Sequence, residues 1–597
     1  MSSKHFVNSS SASGLIVGNC HGVAAAHPGL YVSDKEKVVF RLQNPKKEKV
    51  TLLSGGGSGH EPAHAGYVGD GMLDAAVCGD IFASPTALQI GAGLAAIQSS
   101  KGTLVIVKNY TGDRLNFALA VERSRAQGHE IETVTVADDV AVGREKGSLV
   151  GRRGLAGTAL VHKVAGSAAE SGEDLKTVTA TAQHVADNLA TVGASLGRCH
   201  VPGHEESTED ALKPDELEIG MGIHNEPGCR RVSPIPSHTQ LISDLLKMLL
   251  DTSDSDRGFI QRKPDEKVVL LVNNLGGISN LEINILTAET VHQLSSTWQI
   301  TPCRVFAGSF MTSLNAPGFS ITLLTLPEDA AVSPDTILQH LDAPTTAVGW
   351  TNSLPASHWG NQRPVPPRTL SAATRSAAEN LAVVPTNTAL TSAILKAVLD
   401  SVTKNEPTMT DYDTLVGDGD CGTTLLSGAQ ALIDRNVTSN NLLQSSLDIA
   451  NVIETSMGGT SGALYGIFFS AFARGLAEKC QGSASFEKIA ESAKYALETL
   501  EKYTPARKGD RTLMDALIPF VDRIYQDRKK GAEQALMMAV EDAKVGYKAT
   551  KEMKARLGRA SYVEDMHTQG DEAVPDPGAL GVVAVVEGVF EAVQKAK

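Results

Sequence analysis

Thr103-Leu104-Val105-Ile106-Val107-Lys108-Asn109-Tyr110-Thr111-Gly112-Asp113 opens as a β-branched apolar run and turns polar from Lys108 onward. A helical stretch follows from Arg114 to Gln127, and a second β-branched run covers Glu132 to Val136. A strand that ends in a polar loop and feeds a helix is the repeating unit of an α/β fold. The pattern continues on both sides. Val50-Thr51-Leu52-Leu53 leads into a glycine loop, and Val268 to Val272 leads into Asn273-Asn274-Leu275-Gly276-Gly277. Sheets of this kind hold ligands beyond the carboxyl ends of their strands.

The alternation runs from about residue 40 to 345 and predicts an α/β domain over residues 1–350. Residues 201–217 are polar and acidic and read as a surface excursion within it. Pro355, Pro364, Pro366 and Pro367 cluster with Ser357, His358, Gly360 and Asn361, which marks a linker over 351–380. Beyond it, Thr388 to Val402, Leu442 to Ser456, Phe486 to Leu500, Ala532 to Ala549 and Leu580 to Ala596 are rich in Ala, Leu and Val. They predict an all-α domain over 381–597.

Composition narrows the function. With 42% apolar and 20% charged residues in 597, the chain has material for three or four folding units and is neither disordered nor fibrous. Its 54 basic and 68 acidic side chains leave a net charge of −14, which argues against nucleic acid as the main partner. An anionic ligand must then be held by glycine loops, helix N-termini or metal ions. Cys20, Cys78, Cys199, Cys229, Cys303, Cys421 and Cys480 are scattered with no CxxC pair, which suits a reducing cytosol. No uninterrupted apolar run approaches 18 residues, so no membrane span is expected. Met1 to Asn8 lacks a signal pattern, and Lys595-Ala596-Lys597 is no lipidation signal. A cytoplasmic location is expected.

Five segments can carry chemistry. Gly55-Gly56-Gly57-Ser58-Gly59-His60-Glu61-Pro62 matches no standard nucleotide loop; it suits a small polar ligand with His60 as donor or acid/base, or else a tight turn in a crowded core. In Lys108 to Asp113 the lysine can orient a polar substrate and Asp113 can act as general base, unless both are an exposed ion-pairing loop. His224 stands between glycines in Gly220-Met221-Gly222-Ile223-His224-Asn225-Glu226-Pro227-Gly228, as a base, metal ligand, nucleophile or surface turn residue. Asp413-Thr414-Leu415-Val416-Gly417-Asp418-Gly419-Asp420-Cys421-Gly422 gathers three carboxylates among glycines and reads as a loop. Their mutual repulsion calls for a divalent cation, and hard oxygen donors favour Mg²⁺; the spacing excludes an EF-hand. Met457-Gly458-Gly459-Thr460-Ser461-Gly462 opens a helix whose bare N–H groups and two hydroxyls suit an anion, or close helix packing. Gly509-Asp510-Arg511-Thr512-Leu513 and Asp576-Pro577-Gly578 are further glycine turns that say little alone.

Taken together, GGGSGHEP at 55–62, KNYTGD at 108–113, GIHNEPG at 222–228, DTLVGDGDCG at 413–422, GGTSG at 458–462 and DPG at 576–578 resemble, in order, the single-chain ATP-dependent dihydroxyacetone kinases, also called triokinases or glycerone kinases. The Asp-Cys-Gly-Thr form of the acidic segment is similar to that of eukaryotic, fungal members. The resemblance implies a first domain of two α/β subdomains that binds the ketone and a second, an all-α helical barrel, that binds ATP. It implies that His224 holds the substrate carbonyl as a hemiaminal, so that glycerol is rejected. Gly57, Ser58, Gly59, His60, Lys108 and Asp113 would bind the triose, with Asp113 as base and His60 as its acid/base partner. Asp413, Asp418 and Asp420 would hold two Mg²⁺ ions. ATP would lie against Asp418, Gly419, Asp420, Cys421, Gly422, Thr423, Thr460, Ser461, Gly509, Thr512, Leu513, Asp576, Pro577 and Gly578. Bacterial relatives often carry histidine at the place of Cys421, so this thiol is not expected to bind metal. D-glyceraldehyde is expected as a second substrate, and a homodimer as the assembly.

Two other readings stay open. Some animal relatives split FAD to a cyclic riboflavin phosphate with Mn²⁺. Other relatives are non-catalytic regulators that bind small carbonyl compounds, although a carboxylate trio without metal would be a costly thing to retain.

Overall fold

The computed structural model describes residues 5–7, 12–42, 48–145, 147, 149–203, 211–351, 354–359, 383–480, 484–557 and 573–596. They belong to two compact units, Met1–Arg368 and Thr369–Lys597. Most of the expected linker, 352–353 and 360–380, and the middle of the acidic excursion, 204–210, lie outside the described residues. The start of the expected linker is part of the first unit: Ala356–Trp359 is a short helix, and the Trp359 ring meets Phe306.

The first unit contains two six-stranded sheets. One comprises β1 (Leu30–Ser33), β2 (Val38–Arg41), β3 (Thr51–Ser58), β4 (Ala75–Ile81), β5 (Thr103–Lys108) and β6 (Ile131–Val136), in the order β1-β2-β4-β3-β5-β6. Its β4-β3-β5-β6 part is parallel. The other comprises β7 (Leu189–Ser195), β8 (Leu217–Ile219), β9 (Arg230–Val232), β10 (Lys267–Asn274), β11 (Arg304–Gly308) and β12 (Gly318–Leu326), in the order β11-β10-β12-β7-β8-β9. There β10 and β11 are parallel and the other pairs antiparallel.

Alternation along each strand explains the layers. Leu52 and Leu104 join one core, while their neighbours Leu53 and Val105 join another with Ile90 and Phe117 from the helices Ala87–Ala96 and Thr111–Arg125. Likewise Val269 and Leu271 share the core of Leu52, whereas Val268 and Leu270 pack with Ile242, Leu245 and Ile283 from the helices His238–Leu250 and Asn280–Ser296. Strands covered on both faces read as unbroken apolar runs. The helix Gly157–Glu170 occupies the layer between the sheets and is buried from Gly157 through Ala169.

The structure corrects three local expectations. The glycine segment after Leu53 is strand, not loop, as far as Ser58. A Cβ on Gly55 would lie 2.3 Å from the Val77 carbonyl oxygen, so glycine lets β3 and β4 approach, and the register shifts between Gly56 and Ser58. The helix expected from Arg114 begins at Thr111, which puts Asp113 in its first turn. The helix expected to end at Val402 continues through Pro407 to Val416 and takes Asp413 with it. The acidic loop is therefore only Gly417 to Asp420.

The second unit is helical among its described residues apart from an isolated Pro385–Asn441 bridge. Thr388–Val416, Cys421–Asp434, Leu442–Ser456, Gly459–Lys479, Phe486–Leu500, Met514–Gln526, Ala532–Ala549 and Pro577–Lys595 each pack on the next, and the last packs along the first, closing a barrel. Pro577–Lys595 is the one helix among the described residues long and apolar enough to cross a membrane, with a mean hydropathy of 1.3. Glu587 and Glu591 interrupt it, and its Leu580, Val582, Val583 and Ala584 fill the cores shared with Val402, Met409, Ala516 and Val540.

Two mid-helix glycines make opposite predictions. A Cβ on Gly91 meets nothing within 4 Å, whereas one on Gly166 would lie 2.3 Å from the Met72 backbone. Gly91→Ala should raise the thermal midpoint, by about 0.5–1 kcal/mol in stability, because alanine suits a helix better. Gly166→Ala should lower it by about 1–3 kcal/mol through overpacking. Circular dichroism on melting the two variants checks both.

Candidate functional site

In the first unit, His224 sits on a tight turn with Asn225 at φ 64°. Its Nδ1 lies 2.8 Å from Glu226 Oε1, and its backbone N–H donates to Glu226 Oε2. Burial would push the Glu226 carboxyl up, but the hydrogen bonds from His224 and the nearby Arg153 hold it at about 2. An ionised carboxylate accepts only, so Nδ1 carries a proton, and in the neutral ring the lone pair is on Nε2. The ring is walled edge-to-face by His60, Phe82 and Tyr110, with centroids 4.8, 5.3 and 4.6 Å away.

His60 follows the glycine strand and is fully buried. Its Nδ1–H donates to the Thr312 carbonyl at 2.8 Å, and Nε2 has no partner among the described residues. Burial, then Lys108 and His224, keep this imidazole neutral well below its ordinary range. It therefore offers an acceptor, not an acidic proton. Gly57 and Gly59 make the wall thin: a Cβ on Gly57 would lie 2.7 Å from the Ala83 nitrogen, and one on Gly59 2.7 Å from the Phe82 ring. The Ser58 hydroxyl donates to the Gly79 carbonyl at 2.8 Å, so its hydrogen is already committed.

Lys108 closes β5 and is completely buried, with no partner for Nζ among the described residues. Burial lowers its pKa, against the pull of Asp113, Glu226 and Glu61. Asp113 is buried in the first helical turn and accepts a short hydrogen bond from the Ser84 hydroxyl. The two converge over Gly56, where an added Cβ would lie 3.3 Å from Asp113 Oδ2 and 3.5 Å from Lys108 Cε. The exposed-loop reading of Lys108 and Asp113 is thus replaced by a buried pair. Orphaned atoms here (His60 Nε2, Lys108 Nζ and the Tyr110 hydroxyl) fit a small ligand rich in oxygen.

In the second unit, Asp413, Asp418 and Asp420 each bring one carboxylate oxygen within 4.8 Å of the others. Asp413 Oδ2 accepts from the backbone N–H groups of Asp420 and Cys421, which fixes the turn. Asp418 and Asp420 are exposed, and Gly419 takes φ 77° between them. The donor set is hard oxygen and suits Mg²⁺. Burial, then the surrounding carboxylates, push the Cys421 thiol up to about 12. Gly422 lets the helices cross, since its Cβ would meet Glu406 and Thr410, and Thr423 donates back to the Asp420 carbonyl.

Asp576 is the N-cap of Pro577–Lys595 and accepts from Ala579 N–H, so Asp576-Pro577-Gly578 starts a helix and is not a glycine turn. Burial, with Asp515 and Asp413 nearby, raises its carboxyl to about 7. A Cβ on Gly578 would touch Leu513, so this helix start meets the turn at 509–513. Buried Asp515 organises that turn by accepting from the N–H groups of Gly509 and Thr512. The helix Gly459–Lys479 starts where expected, with Thr460 exposed and Ser461 half-buried. Met457, Gly458, Gly459 and Gly462 line a cleft of about 720 Å³ beside it.

Residues 21–349 match the Dak1 domain and 415–591 the DAK2 domain. A dihydroxyacetone kinase from Pichia angusta is 44% identical over 100% of this chain and 99% of its own. The chain belongs to the dihydroxyacetone kinase family. Its resemblance to triokinases extends to the human triokinase/FMN cyclase, 37% identical over the whole of both chains. The dihydroxyacetone kinase of C. freundii, solved with AMP-PNP and Mg²⁺, is 31% identical with a TM-score of 0.63 and covers 99% of this chain and 100% of its own.

Within this family member, sequence reading missed Glu226, Ser84, Phe82 and Asp515. Only Glu226 left a local trace, two places after His224 in the same turn. The others arrive through tertiary packing. The burial of His60 makes a pH prediction: a folded pKa below the ordinary 6.5 means the ring stays neutral as pH falls through that value. In histidine-labelled protein at about pH 5.5, nitrogen NMR should still show the neutral Nδ1–H form of His60. A charged ring at that pH would contradict the burial argument.

Proposed function

We propose that this protein transfers the γ-phosphoryl group of ATP to dihydroxyacetone, with D-glyceraldehyde as a second substrate. The observation that carries the reading is the His224–Glu226 pair, because it orients the imidazole beside His60 and Tyr110, whose Nε2 and hydroxyl have no partner among the described residues. His224 Nε2 adds to the substrate carbonyl carbon as the C=O π pair moves onto oxygen; Glu226 takes the Nδ1 proton from the ring and the alkoxide takes one from solvent, which leaves a neutral hemiaminal with a hydroxyl. Glycerol offers hydroxyls but no carbonyl. Lys108 holds a hydroxyl oxygen, His60 Nε2 accepts from a second hydroxyl, and Asp113 takes the proton from the hydroxyl that attacks phosphorus.

Asp413, Asp418 and Asp420 would hold two Mg²⁺ ions, which when bound neutralise the triphosphate charge. The N–H groups and hydroxyls of Thr460 and Ser461 would face phosphate oxygens. Gly509, Thr512, Leu513, Asp576, Pro577 and Gly578 would border the nucleotide. A homodimer and a cytoplasmic location belong to the same reading. The non-catalytic alternative accounts less well for three converging carboxylates, two of them exposed.

Coupled ADP release with Mg–ATP should show turnover with dihydroxyacetone and none with glycerol; equal rates would remove the hemiaminal. His224→Ala should weaken triose capture while ATP still binds, and Asp418→Ala should abolish Mg–ATP binding while triose still binds. Asp113→Asn should lower kcat by roughly 10²–10⁴-fold. Excess EDTA should stop the reaction, and added Mg²⁺ should restore it. The human relative's name supports a second activity. Incubation with FAD and Mn²⁺ should then release AMP and a cyclic riboflavin phosphate.

A further inference from the structure

His64 stands beside the pocket and has no place in the mechanism above. Its side chain is buried, 4% exposed, and projects toward the space over Gly56. A Cβ on Gly56 would lie 3.7 Å from His64 Nε2, alongside Asp113 Oδ2 and Lys108 Cε. His64 Nε2 has no hydrogen-bond partner among the described residues. A buried polar atom in that state is costly unless a ligand satisfies it.

The other ring nitrogen is occupied. His64 Nδ1 lies 3.0 Å from Nε2 of His162, which the central helix Gly157–Glu170 supplies, and 3.4 Å from the Ser54 hydroxyl. The Ser54 hydrogen is committed to the Ile106 carbonyl at 2.7 Å. Burial beside Lys108 keeps both imidazoles uncharged at neutral pH, His162 down to about 3. One proton lies between the two rings, and it can sit on either. If His64 held it, the remaining hydrogen of His162 would sit on Nδ1, which is buried with no acceptor among the described residues. If His162 donates it, His162 Nδ1 keeps only a lone pair and the unpaired hydrogen sits on His64 Nε2 instead. Each tautomer thus orphans one N–H, but only the second places it over Gly56 beside Asp113 and Lys108, where a ligand oxygen can accept it.

We propose that His64 is a further substrate-binding residue of the triose pocket, its Nε2–H donating to a hydroxyl oxygen of the substrate between Lys108 and Asp113, with His162 fixing that tautomer. His64 then supplies the neutral donor that Lys108, a cation, and His60, an acceptor, do not. The inference rests on the function proposed above.

The test is a set of three variants, His64→Leu, His64→Gln and His162→Leu. Steady-state kinetics would be combined with calorimetric titration of dihydroxyacetone in the absence of nucleotide. Wild-type turnover is measured first; its failure would sink the kinase reading and this inference with it. Given wild-type turnover, His64→Leu should raise the KM for dihydroxyacetone roughly 10- to 100-fold, the range of a lost buried hydrogen bond, with the KM for Mg–ATP unchanged. His64→Gln places an amide N–H near the position of Nε2 and should recover most of that loss. His162→Leu should move the triose KM in the same direction by less, as befits a positioning residue. A folded His64→Leu enzyme with a triose KM within about twofold of wild type would overturn the inference. So would a glutamine variant as impaired as the leucine one, because packing alone would then explain both. Should the leucine variant not fold, the glutamine and His162 variants decide by the same criteria, with an unchanged triose KM in His162→Leu counting against the proposal.

Discussion

The backbone of Gly55 lies against the carbonyl of Val77, with no room for a side chain, and the geometry of the first pocket follows from that approach. It lets β3 run beside β4 through a segment poor in β-formers, then shift register before His60. Gly57 and Gly59 continue the theme by admitting the backbone and ring around Phe82. The pocket wall is thus peptide and aromatic edge, not aliphatic side chain. The imidazoles of His60 and His224 meet there edge to face, 4.8 Å between centroids.

The two candidate sites treat charge in opposite ways. The first unit buries Lys108, Asp113 and three imidazoles, and burial suppresses the ionisation of His60 and His64. Glu226 beside them is held ionised, through its bonds to His224. The second unit leaves Asp418 and Asp420 at the surface, where repulsion is relieved by solvent or by a cation. A buried site suits recognition of a neutral polyol by hydrogen bonds. An exposed carboxylate cluster suits an ion that arrives hydrated and shares its ligands with phosphate.

Much of this was legible in the sequence. The β-branched runs at 103–107 and 268–272 became β5 and β10, and the acidic segment converged on one point. Glycines and prolines misled where packing outweighed propensity. Gly55 to Gly57 read as loop but are strand, and the long first helix of the barrel runs through Pro407. The antiparallel character of the second sheet was hidden as well, because strands covered on both faces show no alternation from which direction could be read. His64 and His162 were invisible for a different reason. They lie 98 residues apart, on elements with no local signature of contact, and only the helix between the sheets brings them together.

His224 and the carboxylate that orients it share one turn, two residues apart, whereas the walls around them come from the segments after β3, β4 and β5. Reactivity and discrimination therefore have different fragilities. A chain that has lost its sheets still carries an imidazole beside its own carboxylate, but no longer the walls around it. Under the proposed function, what the large fold contributes to this imidazole is restraint: it decides which aldehydes and ketones in a cell are never touched.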